Sequence, residues 1–327
     1  MRYRKIEGGE KLTDFIKPML AQLTEQPAFD HPGWVFEIKW DGYRAVAEVL
    51  KTGQRLYSRN GLSFAKAYGK IFEALKKIKH QVVLDGEIVV FNEDGQPDFQ
   101  KLQNYTNNSS YTIQYFAFDI LFLNGKDLTA LPLLERKEIL KSILPVSKII
   151  LYCDHVIGNG KAFFREIEKS NMEGMIAKRS TSTYQPGKRN SDWLKIKNVK
   201  SDEAVIVGYT QPKGSRVGFG SLLLAQYNRG KLTYIGNVGT GFTDSTLKDL
   251  LKKIKILETA KSPLHHQIKP PPATTWIKPE LVCNVKFTEK TSDGILRHPV
   301  FLGLRVDKKP GEVSPEKSVK RIIKKAK

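Results

Sequence analysis

The first strong pattern along the chain is a strict alternation. Over residues 34–40, Trp34, Phe36, Ile38 and Trp40 alternate with Val35, Glu37 and Lys39. Successive side chains of an extended chain point to opposite faces, so the even positions form one apolar face. Glu37, Lys39 and the following Asp41 then emerge together on the other. Gly42 comes next, where a turn or a close backbone approach suits it. Further apolar runs predict strands over 44–50, 82–91, 113–123, 173–179 and 193–197. Helical spacing predicts helices over 64–79, 131–144 and 160–170. After about residue 200 the texture changes to short strand-like runs punctuated by Gly, Pro and Asn-Arg-Gly, with one amphipathic helix over 244–257. That texture predicts a small barrel or sandwich and puts a domain boundary near Lys200.

The same alternation isolates polar positions on four more strands. In "VVLDGEIVVF", Asp85 and Glu87 share a face opposite Leu84, Ile88 and Val90. Asp119 interrupts the hydrophobic run "QYFAFDILFL" just after Phe118. Glu173 and Gly174 stand at a strand entrance, and Lys195 and Lys197 share a face with Trp193 while Leu194 and Ile196 oppose them. Each has a plain reading by itself. A lone core aspartate is ordinarily hydrogen-bonded, carboxylates are ordinarily solvated, and lysines on a strand edge discourage aggregation. Taken together they supply the contents of one cleft: a lysine nucleophile, two carboxylates for Mg²⁺, an aromatic platform for a base and a lysine pair for phosphates. A lysine amine attacks only when deprotonated, so it needs either a cleft that lowers its pKa or an electrophile that draws it in.

Charge narrows the partner. The 54 Lys and Arg against 34 Asp and Glu give a formal net charge of +20, which favours a polyanion, nucleic acid first and an acidic membrane surface second. No apolar run approaches the ~18 residues of a membrane span, and the N-terminal residues lack the apolar core of a signal peptide. Cys153 and Cys283 lie too far apart in sequence for a disulfide framework or metal spacing, which predicts free thiols in a reducing compartment. His265 and His266 are read as part of a surface loop rather than a metal site.

"EIKWDGYR" resembles the KxDGxR lysine motif of covalent nucleotidyltransferases, and further motifs follow in that superfamily's order. They are "SRNG" with Arg59, "LDGE" with Glu87, "FAFD" with Phe118, "EGMIAK" with Glu173, "WLKIK" with Lys195 and Lys197, and "GLRVDKKP" with Arg305, Asp307 and Lys308. From about Pro18 to Lys309 the series is similar to ATP-dependent DNA ligases, particularly the ligase module of the bacterial end-joining type. The resemblance implies an α+β fold of two domains. An adenylation domain of packed antiparallel sheets with helices would span 1–200 and an all-β OB-fold 201–309, leaving a basic tail, 310–327, as a disordered arm or a short helix.

The resemblance also implies roles. Lys39 would attack the α-phosphate of ATP, with Asp41 supporting it. Arg44 would meet nucleic-acid phosphate and Arg59 would lie near the nucleotide. Glu87 and Glu173 would serve ribose and metal, Phe118 would stack on adenine, and Glu37 would lie near the purine. Lys195 and Lys197 would meet the phosphates, while Arg305 and Lys308 would close over pyrophosphate. Implied cofactors are ATP and Mg²⁺, with Mn²⁺ as a substitute. The implied substrate is nicked duplex DNA with a 5′-phosphate and a 3′-hydroxyl. A Ku-like end-binding partner, a monomeric state, no membrane association and a cytoplasmic, nucleoid-associated location complete the expectation. Because the chain opens directly at this module, polymerase and phosphoesterase modules are not expected, and the basic segments 178–190 and 211–216 are candidates for backbone contact. An RNA ligase or a capping-type enzyme shares the lysine logic, and a non-catalytic OB-fold nucleic-acid-binding protein is the alternative of a different class.

Overall fold

The computed structural model describes residues 15–106, 110–212, 218–266, 268 and 270–315. It consists of two compact units that join in sequence at Asn198 and Val199. The first unit contains strands β1 (Leu20–Leu23), β2 (His31–Ile38), β3 (Tyr43–Leu50), β4 (Gly53–Ser58), β5 (Val82–Phe91), β6 (Thr112–Leu123), β7 (Lys126–Asp127), β8 (Ile150–Tyr152), β9 (Val156–Gly158), β10 (Gly174–Arg179) and β11 (Arg189–Lys197). Its helices are α1 (Gly69–Leu75), α2 (Phe99–Gln103), α3 (Leu133–Ile143) and α4 (Gly160–Lys169).

These strands make two sheets. One runs β4-β3-β5-β6-β7 with β8 added to β6, and the other runs β1-β11-β10-β2-β9. Pairing is antiparallel except for β1 with β11 and β6 with β8, which are parallel. The alternation read from the sequence sorts each strand between two cores. Leu84, Ile88 and Val90 pack outward with Leu75, Leu102 and Leu140 of the helices, whereas Val83 and Val89 pack inward with Phe116, Phe118 and Trp193. Trp34, Phe36, Leu194 and Ile196 form a separate core with Ile167 of α4. The inner faces of the two sheets therefore carry the polar residues among aromatic ones.

Two expected elements are corrected. The strand predicted over 34–40 begins at His31 and ends at Ile38. Trp40 leaves its apolar face and stacks on Phe116, with ring centroids 4.0 Å apart. The helix predicted over 64–79 is confined to Gly69–Leu75. Gly69 lowers helical propensity at its start, and i→i+3 bonds from Lys76, Lys77 and Ile78 tighten its end into turns.

The second unit holds β12 (Ser201–Thr210), β13 (Leu222–Asn228), β14 (Lys231–Val238), β15 (Glu258–Thr259), β16 (Thr274–Lys286), β17 (Glu289–Lys290), β18 (Leu296–Arg297) and β19 (Val300–Leu304), with helix α5 (Asp244–Lys255). Its main sheet runs β14-β13-β12-β16-β15 with β19 on β16. A bridge between Thr240 and Val300 joins the β14 end to β19, so the sheet closes into a barrel, one of the two forms the short-strand texture predicted, and matches the OB-fold that the resemblance implied. Arg229 and Gly230 both have positive φ, which makes the Asn-Arg-Gly stretch a tight hairpin between β13 and β14.

The tail assigned above starts with an ordered turn, Pro310–Glu312, and is anchored at Val313, while Gly311, Glu312, Ser314 and Pro315 are exposed. Val313 is 1% exposed, and its carbonyl accepts from the Tyr227 amide at 2.8 Å. The basic residues of 316–327 lie outside the described residues. Within segment 178–190, Lys178 and Arg179 finish β10 and Ser180, Ser182 and Tyr184 are buried, whereas the basic residues Lys188 and Arg189 are exposed. Of segment 211–216, only Gln211 and Pro212 fall among the described residues. No described helix is long and apolar enough to cross a membrane.

Candidate active site

Two glycines create the close approaches on which the site depends. Gly174 has φ 153°, and a Cβ there would run into the Ile196 carbonyl and come within 2.9 Å of Lys197 Cα. Only glycine permits that packing of β10 on β11. The Gly174 carbonyl accepts from the Lys39 amide at 2.9 Å, just beyond the end of β2. Glu173 and Lys39 are thereby brought together, and their side chains form an ion pair. Gly42 does the same across the cleft. Its α-carbon lies against β5, where a Cβ would strike the Ile88 carbonyl and approach Glu87 Cγ to 3.1 Å. The glycine after the lysine strand is thus a close-approach glycine that draws the Lys39 turn toward Glu87.

Burial pulls the Lys39 amine toward deprotonation, but the Glu173 pair and the charges of Asp41 and Glu87 outweigh it, leaving the pKa above the ordinary lysine value. Of the two routes to a nucleophilic lysine set out above, the structure provides no lowered pKa. Burial likewise pushes Glu173 up, and Lys39, Lys197 and Lys195 more than reverse this, so it stays ionised below the usual carboxylate range. Lys195 and Lys197 are half-buried on β11, where Lys195 is opposite Ile176 and Lys197 opposite Gly174. Among the described residues, no group of three or more His, Cys, Asp and Glu is placed to hold a metal ion. Of the three carboxylates whose charge reaches Lys39, those of Glu87 and Glu173 suit an ion that uses one or two protein carboxylates plus substrate phosphates, which is the habit of Mg²⁺.

The remaining predicted residues are placed as follows. Glu37 is 2% exposed, with one carboxylate oxygen 2.6 Å from Lys137 Nζ and the other 2.6 Å from Lys178 Nζ. Burial raises its pKa, yet the two lysines hold it below the carboxylate norm. Arg44 makes a two-pronged pair with the fully buried Asp85, 2.6 Å at both nitrogens, and donates to the Met19 carbonyl at 3.0 Å. Asp85 also accepts from Tyr184 Oη at 2.5 Å. Phe118 lies on the inner face, its ring centroid 4.5 Å from the Arg44 guanidinium and 4.4 Å from Lys178 Nζ. Two residues earlier, Phe116 is the register partner of Glu87. Arg59 sits half-buried in the turn after β4. Asp119, with its plain reading as a core residue, is fully buried and makes a two-pronged pair with Arg136 at 2.7 and 2.9 Å.

Sequence reasoning missed Arg136, Lys137 and Lys178, although a signal was present. On α3, Arg136 and Lys137 lie three and four residues after Leu133, the buried-face spacing, so charges occupied core positions of the helical pattern. Lys178 is two residues on from Ile176, which pairs with Glu37, so it points to the same face.

Arg305, Asp307 and Lys308 belong to the second unit. Arg305 grips Asp307 at 2.8 and 2.7 Å, and one Glu203 oxygen meets both Arg305, at 3.2 Å, and Lys308. The buried Asp307 fixes the guanidinium, and Glu203 gathers both cations at the start of β12.

Two sheets holding a lysine between carboxylates, followed by an OB-fold that carries an Arg-x-Asp-Lys cluster, define a covalent nucleotidyltransferase. Comparison with known proteins narrows the class. The ATP dependent DNA ligase domain matches residues 18–197, and the ATP dependent DNA ligase C terminal region matches residues 215–308. The chain belongs to the ATP-dependent DNA ligases. It is 38% identical over 314 residues to the multifunctional non-homologous end joining protein LigD of Mycolicibacterium smegmatis, covering 94% of this chain and 41% of that protein. Its identity to the protein of the same description from Pseudomonas aeruginosa is 36%, over 97% of this chain and 38% of the relative. The chain therefore spans about two fifths of the length of these curated relatives. A solved structure of mycobacterial DNA ligase D complexed with ATP and MES superposes with a TM-score of 0.70 at 34% identity, covering 91% of this chain and 97% of that one.

Proposed function

We propose that this chain seals nicks in duplex DNA through a lysyl-AMP intermediate and serves the joining of broken DNA ends. The observation that carries the reading is the placement of Lys39 against Glu173, with Glu87, Lys195 and Lys197 around the same cleft. Lys39 Nζ loses its proton and bonds to the α-phosphorus of ATP, and pyrophosphate leaves. The 5′-phosphate of a nick then attacks that phosphorus and releases Lys39. Finally the 3′-hydroxyl attacks the activated 5′-phosphate, AMP departs and the strand is closed.

Mg²⁺, for which Mn²⁺ can substitute, supplies charge neutralisation on the phosphates when bound to Glu87 and Glu173. Because Lys39 rests protonated on Glu173, a ligand that engages Glu173 frees the amine to shed its proton. Asp41 adds negative charge beside Lys39. Lys195 and Lys197 meet the phosphates, Glu37 and Phe118 face the purine, and Arg59 lies near the nucleotide. Arg44, fixed by Asp85, presents its remaining edge to nucleic-acid phosphate. Arg305 and Lys308 act on pyrophosphate as it leaves. The enzyme works as a monomer in the cytoplasm at the nucleoid, and a Ku-like end-binding protein stimulates it.

Incubation with ATP and Mg²⁺ tests this directly. The intact protein should gain the mass of one AMP, and Lys39→Ala should gain none. Retention of the adduct by Lys39→Ala would remove the assignment.

A further inference from the structure

Glu37 is the only acidic residue of β2, and its two oxygens are held by lysines from different elements. Lys137 Nζ donates to Glu37 at 2.6 Å, to the Cys153 carbonyl at 3.1 Å and to the Phe118 carbonyl at 3.5 Å. An ammonium has three protons, and here each has an acceptor. With its donors taken in this way, Lys137 has none to spare for a phosphate. It joins α3, β6, the segment after β8 and β2 at one point between the sheets. Lys178, the other holder, is divided between Glu37 and two aromatic rings, those of Trp193 at 4.2 Å and Phe118 at 4.4 Å. Without Lys137, one oxygen of a buried carboxylate loses its cation. A carboxyl group in that position takes up a proton or turns toward another donor. Either change alters what it offers to a ligand, because only the ionised form accepts at both oxygens.

We propose that Lys137 is a positioning residue for nucleobase choice: it keeps Glu37 a fixed, ionised acceptor for the 6-amino group of the purine. This rests on the reading of the cleft as an ATP site with Glu37 beside the base. A purine without that amino group leaves the Glu37 acceptor unmatched and is selected against. A site built to bond a ligand's N–H discriminates strongly against a ligand that lacks it.

The test compares self-adenylylation by ATP with labelling by purine riboside triphosphate, which differs from ATP only in lacking the 6-amino group. Wild-type protein should prefer ATP by at least about tenfold in kcat/KM, the effect of one hydrogen bond to a charged group. Lys137→Met should lower kcat/KM for ATP by about the same factor, chiefly through KM, and change the analogue little, so that the preference collapses. Lys137→Arg should restore it. If Lys137→Met does not fold, the double variant Glu37→Gln with Lys137→Met, which leaves no bare carboxylate, carries the comparison. It should discriminate no better than Glu37→Gln alone. Equal slowing of both triphosphates by Lys137→Met, or a double variant that keeps the wild-type preference, would overturn the proposal. A wild type labelled equally by both triphosphates would overturn it while leaving the ATP site intact. A wild type not labelled by ATP would overturn the ATP-site reading itself.

Discussion

Replacing Gly174 with alanine tests the packing that brings Glu173 to Lys39. Two penalties act there, and the structure separates them. The backbone at φ 153° lies in a region that alanine adopts only under strain, which costs about 1–3 kcal/mol. The new methyl group also meets the Ile196 carbonyl and Lys197 Cα, and forcing extra volume into a packed site costs about 1–3 kcal/mol more. Gly53 provides the control, with φ 130° and no atom within 4 Å of an added Cβ. Gly53→Ala should lose only the conformational part, and Gly174→Ala roughly twice as much in total. For a unit of this size, each kcal/mol lowers Tm by roughly 2–4 °C, so thermal unfolding resolves the two. Relief of the collision moves β10 off β11 and draws Glu173 away from Lys39. A displacement on the order of 1 Å costs about 100-fold in rate. Single-turnover labelling with ATP should therefore fall by that order in Gly174→Ala and stay near wild type in Gly53→Ala. Equal stability of the two variants, or full labelling by Gly174→Ala, would show that the close approach positions nothing.

Three further outcomes follow from the charges. Lys39 has a raised folded-state pKa, so its pairing stabilises the fold at low and neutral pH and is lost as pH rises through that value, while the fraction of reactive amine grows. Labelling should thus accelerate from neutral toward alkaline pH. In Glu173→Gln, where burial acts with less opposition, the rise should level off at lower pH; an unmoved profile would detach Glu173 from the lysine. Arg305→Ala combined with Lys308→Ala should abolish ATP labelling but still seal a nick supplied with its 5′-AMP already attached, and single-turnover sealing assays distinguish the two steps. Arg136→Met leaves a fully buried carboxylate at Asp119 without its partner, and should cost about 3–5 kcal/mol in chemical denaturation. Adding Asp119→Leu should recover much of that loss.

What the sequence disclosed about the fold was whatever a period of two expresses. The division of Leu84, Ile88 and Val90 from Asp85 and Glu87, and of Leu194 and Ile196 from Trp193, followed from alternation and holds in the packing. Alternation failed at Trp40 because it assumes an extended chain, and the strand had ended at Ile38. The site was legible as a set of residue types but not as a set of partners. That Asp119 takes Arg136, or that Glu37 takes Lys137 one hundred positions later, depends on how α3 lies across β6, and local pattern does not encode that contact. The start of the tail was misjudged for a related reason. Val313 is a single apolar residue among charges, too little for a periodic signal, yet it fills a gap beside Val205 and Val282.

The two cysteines have a practical consequence. The chain has only these two; Cys153 lies between the sheets of the first unit and Cys283 in the barrel of the second, at 3% and 0% exposure. Burial raises both thiols above the ordinary cysteine value, Cys153 to about 11. A thiol reagent added to the folded protein finds almost no thiolate within reach, and each sulfur becomes reactive only when its own unit opens. The molecule thus carries a built-in reporter in each half. Brief alkylation along a denaturant series, read by peptide mass, gives two separate opening curves from one sample. Whether the halves unfold as one or in turn can be measured without adding a label.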